Sequence, residues 1–138
     1  MTQGYTKAYG ITLIELCLVV VIMAVVATIA YPSYLQFVLK SHRVEATEAL
    51  LALAAKQELY FSEFRRYSDS LTELGTSEPL TLSGRYQLSV QLFDDGMSFL
   101  LRAQAVGVQS QDTDCAAFSV NQLGQRNSAV PYAESCWR

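Results

Sequence analysis

Residues 10–32 read GITLIELCLVVVIMAVVATIAYP, and the twenty residues Ile11–Ala30 inside that stretch carry a single charge, Glu15. An apolar run of about twenty residues has the length that crosses a hydrocarbon core of about 30 Å as an α-helix. The 51% apolar content of the 138-residue chain is concentrated there, and the remainder has the composition of one small globular domain. Lys7 stands on the N-terminal flank and no further basic residue follows until Lys40. The bias of positive charge toward the cytoplasmic side predicts an N-terminus inside the cell and a domain outside the membrane.

A secretory signal ends at a small-residue site after its apolar core. Here Gly10 stands before the run, so a cut after it leaves the anchor attached. Glu15 is also informative, because a carboxylate within a bilayer helix costs on the order of several kcal/mol unless it finds a partner. The string KAYGITLIEL resembles the prepilin signature of type IV pilins. That resemblance implies cleavage after Gly10 by prepilin peptidase, N-methylation of Ile11, and pairing of Glu15 with the free amine of a neighbouring subunit during assembly. A plain signal anchor with a snorkelling or protonated Glu15 is the alternative reading. The chain departs from the family at Ile11, where Phe is commoner, and at Ala24, where many pilins have Gly. Cys17 reads as a small lipid-facing hydrophobe.

Pro32 removes a backbone donor and crowds the preceding turn, so a kink is expected there, as in pilins that resemble this chain. Beyond it, at about 100° per residue, Ala46, Leu50, Leu53, Ala54, Tyr60, Phe61 and Phe64 fall on one stripe that predicts a helix face covering a sheet. Val44, Leu51, Ala55 and Leu59 form a second apolar set, open to two readings: a surface for neighbouring subunits, or a wide core face. Glu45, Lys56 and Glu63 occupy the polar remainder. A helix from Ile11 to Phe64 would reach about 80 Å at 1.5 Å per residue, too long for so small a domain to bury.

Residues 65–84 are rich in Ser, Thr, Glu and Gly and predict a connecting loop. Residues 85–93 alternate, with Tyr86, Leu88, Val90 and Leu92 on one face, and predict a half-buried strand. Asp94-Asp95-Gly96 supplies a turn, and residues 98–106 alternate again through Phe99, Leu101, Ala103 and Ala105. A third strand fits 116–121, and Leu123-Gly124 turns the chain toward 125–127. The expected fold class is α+β: a long N-terminal helix on an antiparallel sheet of three to four strands, the type IV pilin fold. The expected layout is a leader at 1–10, an apolar helix at 11–31, its amphipathic continuation at 32–64, a loop at 65–84, and the sheet with its C-terminal loop at 85–138.

Cys115 and Cys136 look like a pair, which would imply an oxidising compartment; two free thiols is the competing reading. A bridge would close a loop too rich in Gly, Pro and polar residues to hold itself by burial, with a gain on the order of 3 kcal/mol in the chain-entropy account. The tail DTDCAAFSVNQLGQRNSAVPYAESCWR looks like the disulfide-bounded loop of Gram-negative type IV pilins, and most resembles minor pilins of the PilE type.

The net charge of −3, one unit more negative without Lys7, gives no basic surplus for general nucleic-acid binding. No phosphate loop, dinucleotide glycine pattern, nucleophile elbow or HExxH string is present, and His42 is the one imidazole. Asp94, Asp95, Asp112 and Asp114 lack the EF-hand pattern and read as turn formers. We therefore expect no enzyme, no cofactor and no metal. The resemblance implies a minor pilin with roles in twitching motility and surface attachment. Its partners would be major and minor pilins, prepilin peptidase, the inner-membrane assembly machinery, and the membrane itself before assembly. It would be anchored in the inner membrane with its domain in the periplasm, then move to a surface pilus. Alternatives are a filament-borne pilin that binds DNA or a host surface, which would need Arg102, Arg126 and Arg138 to cluster, and a type II secretion pseudopilin, against which the Cys115–Cys136 loop argues.

Overall fold

The computed structural model describes residues 10–128 together with Cys136 and Trp137. Residues 1–9, the bulk of the expected leader, lie outside the described residues, as do 129–135 and Arg138. The chain divides into two units, residues 1–37 and 38–138.

In the first unit the described residues belong chiefly to the start of α1, the helix Leu13–Phe64. Thr12 begins it, with its Oγ1 accepting a hydrogen bond from the Glu15 amide at 3.3 Å. Thr12-Leu13-Ile14-Glu15 is thus an S/T-x-x-E sequence placed at a helix start, a signal that the sequence reading passed over. Every residue from Ile11 to Tyr34 is exposed. Helical assignment continues through Pro32. Proline cannot donate to the carbonyl four residues back, so Thr28 O has no backbone donor from that position. One turn on, Ser33 Oγ donates to Ile29 O at 3.3 Å.

The second unit contains the rest of α1 and a four-stranded antiparallel sheet in the order β1-β2-β3-β4, formed by Tyr86–Phe93, Ser98–Ala105, Ala117–Asn121 and Arg126–Ser128. The expected strands are all present, with ends shifted by a residue. Arg85 and Val106 leave the ladder as a pair, joined by a Val106 N to Arg85 O bond of 2.9 Å just beyond the strands. Ala116 uses its carbonyl to accept from Ala105 N at 2.8 Å, and β3 starts after it. The returning strand starts at Arg126, because Gln125 N donates to the Asn121 side chain at 2.9 Å within the turn.

The alternation predicted for the first two strands is the one observed. Tyr86, Leu88, Phe99, Leu101, Ala103 and Ala105 are buried, and Phe118 and Val120 of β3 join them. From the helix, Ala46, Leu50 and Leu53 complete the core, with Ala54, Tyr60 and Phe61 packed at its edge. Fully burying a side chain such as Leu50 contributes about 1.5–3 kcal/mol, so these positions carry most of the domain's cohesion. Phe64, assigned to the same stripe, is exposed because the helix ends there.

The loop between helix and sheet has only turns and one isolated bridge, Leu80 with Gln87. It is nonetheless held at many points. Gln57, fully buried on α1, donates from Nε2 to Ser68 O at 2.6 Å and accepts from Ser68 N at 3.0 Å. Lys56 Nζ donates to Gly75 O and Thr76 Oγ1, each at 3.2 Å. Ser83 N donates to Glu45 Oε1 at 2.6 Å. Glu45 and Lys56, expected on a merely solvated face, therefore bind the loop to the helix.

The hairpin turn after β1 places three successive residues in the left-handed region, Asp94 (φ 52°), Asp95 (φ 53°) and Gly96 (φ 84°). Asp tolerates this better than most side chains, and Gly without strain. Gly96 is buried, and its carbonyl accepts from Tyr67 N at 2.8 Å, tying the turn to the chain leaving the helix.

Candidate functional site

The residues singled out by the processing motif lie together at the N-terminal end of the described chain. Gly10 precedes the helix, Ile11 is 78% exposed, and Glu15 stands in the first turn of α1. No residue in the most apolar eighteen-residue stretch of this helix is buried in the protein. A helix that is apolar all round and covered by nothing requires a membrane or other protein chains around it.

A second concentration of chemistry joins α1 to the segment before β3. Arg43 Nε donates to Asp112 Oδ2 at 2.6 Å and Nη2 donates to Oδ1 at 2.7 Å. Both side chains are largely buried, and the bond to Asp112 raises the Arg43 guanidinium pKa above its ordinary value. Beside them Gln109, fully buried, donates from Nε2 to Leu39 O at 3.0 Å and to the Tyr86 hydroxyl at 2.9 Å. Burial pushes Tyr86 up to about 12, against a partial offset from its bond to Gln109. Asp112 was expected to shape a turn; it is instead the buried counter-ion of Arg43. Gln57, Arg43 and Gln109 were missed by the sequence reading. Gln57 had a signal, because it lies seven residues after Leu50 and four after Leu53, squarely on the apolar stripe.

Cys115 and Cys136 are joined in a disulfide, with Cα atoms 5.7 Å apart. The next residue, Trp137, packs edge-on against Phe118 with ring centroids 5.7 Å apart, while the Arg126 guanidinium lies 5.1 Å from the Trp137 ring centre. The tail is therefore fastened twice, covalently at Cys115 and by aromatic packing on the core. This spends Arg126 on the tail. In the ladder Arg126 is paired with Val120, on the core face, whereas Arg102 is paired with Ser119 and exposed. Successive strand residues point to opposite faces, so Arg102 and Arg126 are not brought together. Arg138 lies outside the described residues.

Val44, Leu51, Ala55 and Leu59 are exposed, which settles one ambiguity: the second apolar set is no part of this chain's core. An open hollow of about 600 Å³ borders the same stretch of helix, lined by Leu59, Tyr60, Phe64 and Leu74 with Lys56, Glu63 and Glu73. His42 has Glu45 3.6 Å away. Among the described residues no group of three or more His, Cys, Asp or Glu side chains converges as a metal site would require.

A family model described as "Type IV minor pilin ComP, DNA uptake sequence receptor" matches residues 32–119, which run from Pro32 within α1 through the loop, β1 and β2 to the start of β3 and include the Arg43–Asp112 pair and Cys115. The chain belongs to the type IV minor pilin family. Over 66 residues, 48% of its length, this pilin is 46% identical to the type IV major pilin protein PilA of Myxococcus xanthus; the match spans 30% of that relative. It is also similar to the solved structure of a type IV pilin from Shewanella oneidensis, with 25% identity and a TM-score of 0.55 over 72% of this chain and 98% of the other. The pilin fold expected from the sequence is thus the one observed: a long N-terminal helix against an antiparallel sheet.

Proposed function

We propose that this pilin is a minor structural subunit of a type IV pilus. It is cut after Gly10 by prepilin peptidase, methylated at Ile11, held in the inner membrane by residues 11–31, and then transferred into the filament with its domain outward. The observation that carries this reading is the apolar N-terminal helix, exposed from Ile11 to Tyr34, on a chain whose C-terminal unit already has its own core. Assembly gives that helix the cover it lacks, and in an apolar surrounding Glu15 gains a partner in the new amine of Ile11 on a neighbouring subunit. Mass spectrometry of sheared surface filaments tests this. The expected result is the chain with methylated Ile11 as its N-terminus, at low abundance relative to the dominant pilin. Retention in the membrane with residues 1–10 attached would overturn it.

A second reading, contact with DNA, is supported by the description of the matching family and by one feature of the sheet. Among the described residues, the strand positions that share a side with Arg102 include Gln87, Ser89, Gln91, Gln104, Ser119 and Asn121, and none of them is a carboxylate. If this face contacts DNA, Arg102→Ala lowers affinity across sequences and flattens its salt dependence; unchanged binding would exclude Arg102 from the contact.

A further inference from the structure

Two turns project from one end of the C-terminal unit, on either side of the point where β1 begins, β2 ends and Val106 N donates to Arg85 O. In residues 81–84, Gly84 N donates to Thr81 O at 2.8 Å, which puts Leu82 and Ser83 at the two central positions of a turn. In Gly107–Gln111, Val108 is the second residue. Turn centres ordinarily take Gly, Pro, Asn, Asp or Ser, yet Leu82 is fully exposed and Val108 54% exposed. Both turns are fixed to α1, Ser83 N by Glu45 Oε1 at 2.6 Å and Gln109 Nε2 by Leu39 O at 3.0 Å. Two apolar side chains are thus held out from one end of the domain instead of being folded into its core.

We infer that Leu82 and Val108 enter the headgroup layer of the membrane that holds α1 before assembly, with Lys40 and Arg85 set against lipid phosphates. The inference rests on the membrane stage of the reading above. Chain distance argues for it first. Tyr31, Tyr34 and Phe37 are exposed and follow the apolar run directly, as aromatic residues at the membrane–water boundary do. Leu39 comes two residues after Phe37 and Glu45 eight, at most about 12 Å at the helical rise, so the anchoring points of both turns lie close to that boundary whatever the angle of the helix. Charge argues for it next. Lys40 is exposed and Arg85 half-buried, and neither has an ion-pair partner among the described residues. The acids Glu45 and Asp112 are taken up by Ser83 N and Arg43, which leaves Asp114 exposed.

A lone exposed leucine is ordinary on a protein surface, and Leu123 is one. It follows β3, which ends at Asn121 beside Leu100 near the start of β2, and so stands at the opposite end of the sheet. Leu82 and Val108 differ from it in being paired at the end where the chain arrives from its apolar helix. Two side chains are too little for a free protein partner, whose stable interface covers roughly 1,200–2,000 Å². A bilayer asks for less, because α1 already tethers the domain to it and the contact is made at high effective concentration. Lys and Arg suit its edge, with apolar stems along the acyl boundary and charged heads at the phosphates.

Spin-label accessibility of the full chain tests this, in a Cys17→Ser background reconstituted at low density into vesicles of phosphatidylethanolamine and phosphatidylglycerol. Nitroxides on Leu82→Cys and on Val108→Cys should be several-fold less accessible to a water-soluble nickel chelate than a nitroxide on Leu123→Cys, and the difference should vanish in detergent micelles. Val108→Asp should expose the label at position 82, and Leu82→Asp the label at 108, with the melting temperature unchanged in both. Lys40→Glu with Arg85→Glu should weaken the protection in these vesicles and leave it unaltered in phosphatidylcholine alone; equal effects in the two lipids would remove the cations from the contact. If all three labels are equally accessible while the chain resists alkaline extraction, the turns do not touch the bilayer although the anchor stands. Protection that grows with protein density would show a contact between copies and overturn the choice of a lipid surface. If alkali extracts the chain, the membrane reading fails and this inference falls with it.

Discussion

Arg43 and Asp112, 69 positions apart, meet through two parallel hydrogen bonds of 2.6 and 2.7 Å between α1 and the segment before β3. Removing one partner of a buried pair strands the other charge, at a cost of about 3–5 kcal/mol. Arg43→Ala should therefore destabilise the domain strongly, while Arg43→Met combined with Asp112→Leu should recover most of the loss. Urea unfolding of the full chain in detergent reads both, and equal damage from the double variant would contradict the account.

Gln57 bonds the backbone of Ser68 in both directions without any exposure of its own. Gln57→Leu keeps the volume but leaves a buried amide and carbonyl unpaired, at about 1–3 kcal/mol. Faster hydrogen exchange should follow in residues 66–76 more than in β2. Uniform acceleration through the domain would show that the bond supports the whole fold instead of this loop.

The Cys115–Cys136 bridge closes a separation of 21 residues. In the chain-entropy account its loss costs on the order of 3 kcal/mol. A lowered melting temperature is expected on reduction, and the same lowering in Cys115→Ala/Cys136→Ala without reductant. An unchanged melting temperature would assign the tail's attachment to Trp137 alone.

Tyr86 is neutral when folded and is pushed up to about 12 from 10.0. A group with a raised folded pKa contributes stability in full below its unfolded pKa and loses it as the pH rises through the folded one. Stability should thus fall between about pH 10 and 12, and Tyr86→Phe should soften that fall. Ultraviolet titration of tyrosinate against circular dichroism checks it: the Tyr86 step should coincide with loss of structure.

Glu15→Ala should leave cleavage after Gly10 largely intact and impair incorporation into filaments, since the carboxylate's proposed partner is a neighbour's amine. Quantifying the processed chain in membranes and in sheared pili separates the two effects. Normal filament content would remove the pairing argument.

The helix and the strands were legible because they rest on a period or a turn signal: 3.6 for Ala46, Leu50 and Leu53, two for Tyr86, Leu88, Phe99 and Leu101, and Leu123-Gly124 for the return strand; the tail bridge was legible as two C-terminal cysteines in a chain read as exported. What stayed hidden was polar. Arg43, Gln109 and Asp112 are ordinary surface types, and their burial follows from a meeting of segments far apart in the chain, which periodicity does not encode. Gln57 was legible in position but was passed over because an amide on an apolar stripe breaks the binary pattern. The second helical set could not be assigned from one chain's sequence, and its exposure removes the core reading. The three arginines considered for DNA carried no pattern at all; strand register set two of them on opposite faces.

The fastening of Gln109 and Asp112 to α1, and of Cys115 to Cys136, has a mechanical meaning. A pull on α1 near Leu39 and Arg43 passes sideways into the segment 109–112, and three residues later a covalent link at Cys115 hands it to Cys136. The load is thus shared between the sheet and the chain's far end instead of peeling one strand from its neighbour. A subunit wired in this way cannot release the segment before β3 without giving up contacts to α1 and to Cys136 together.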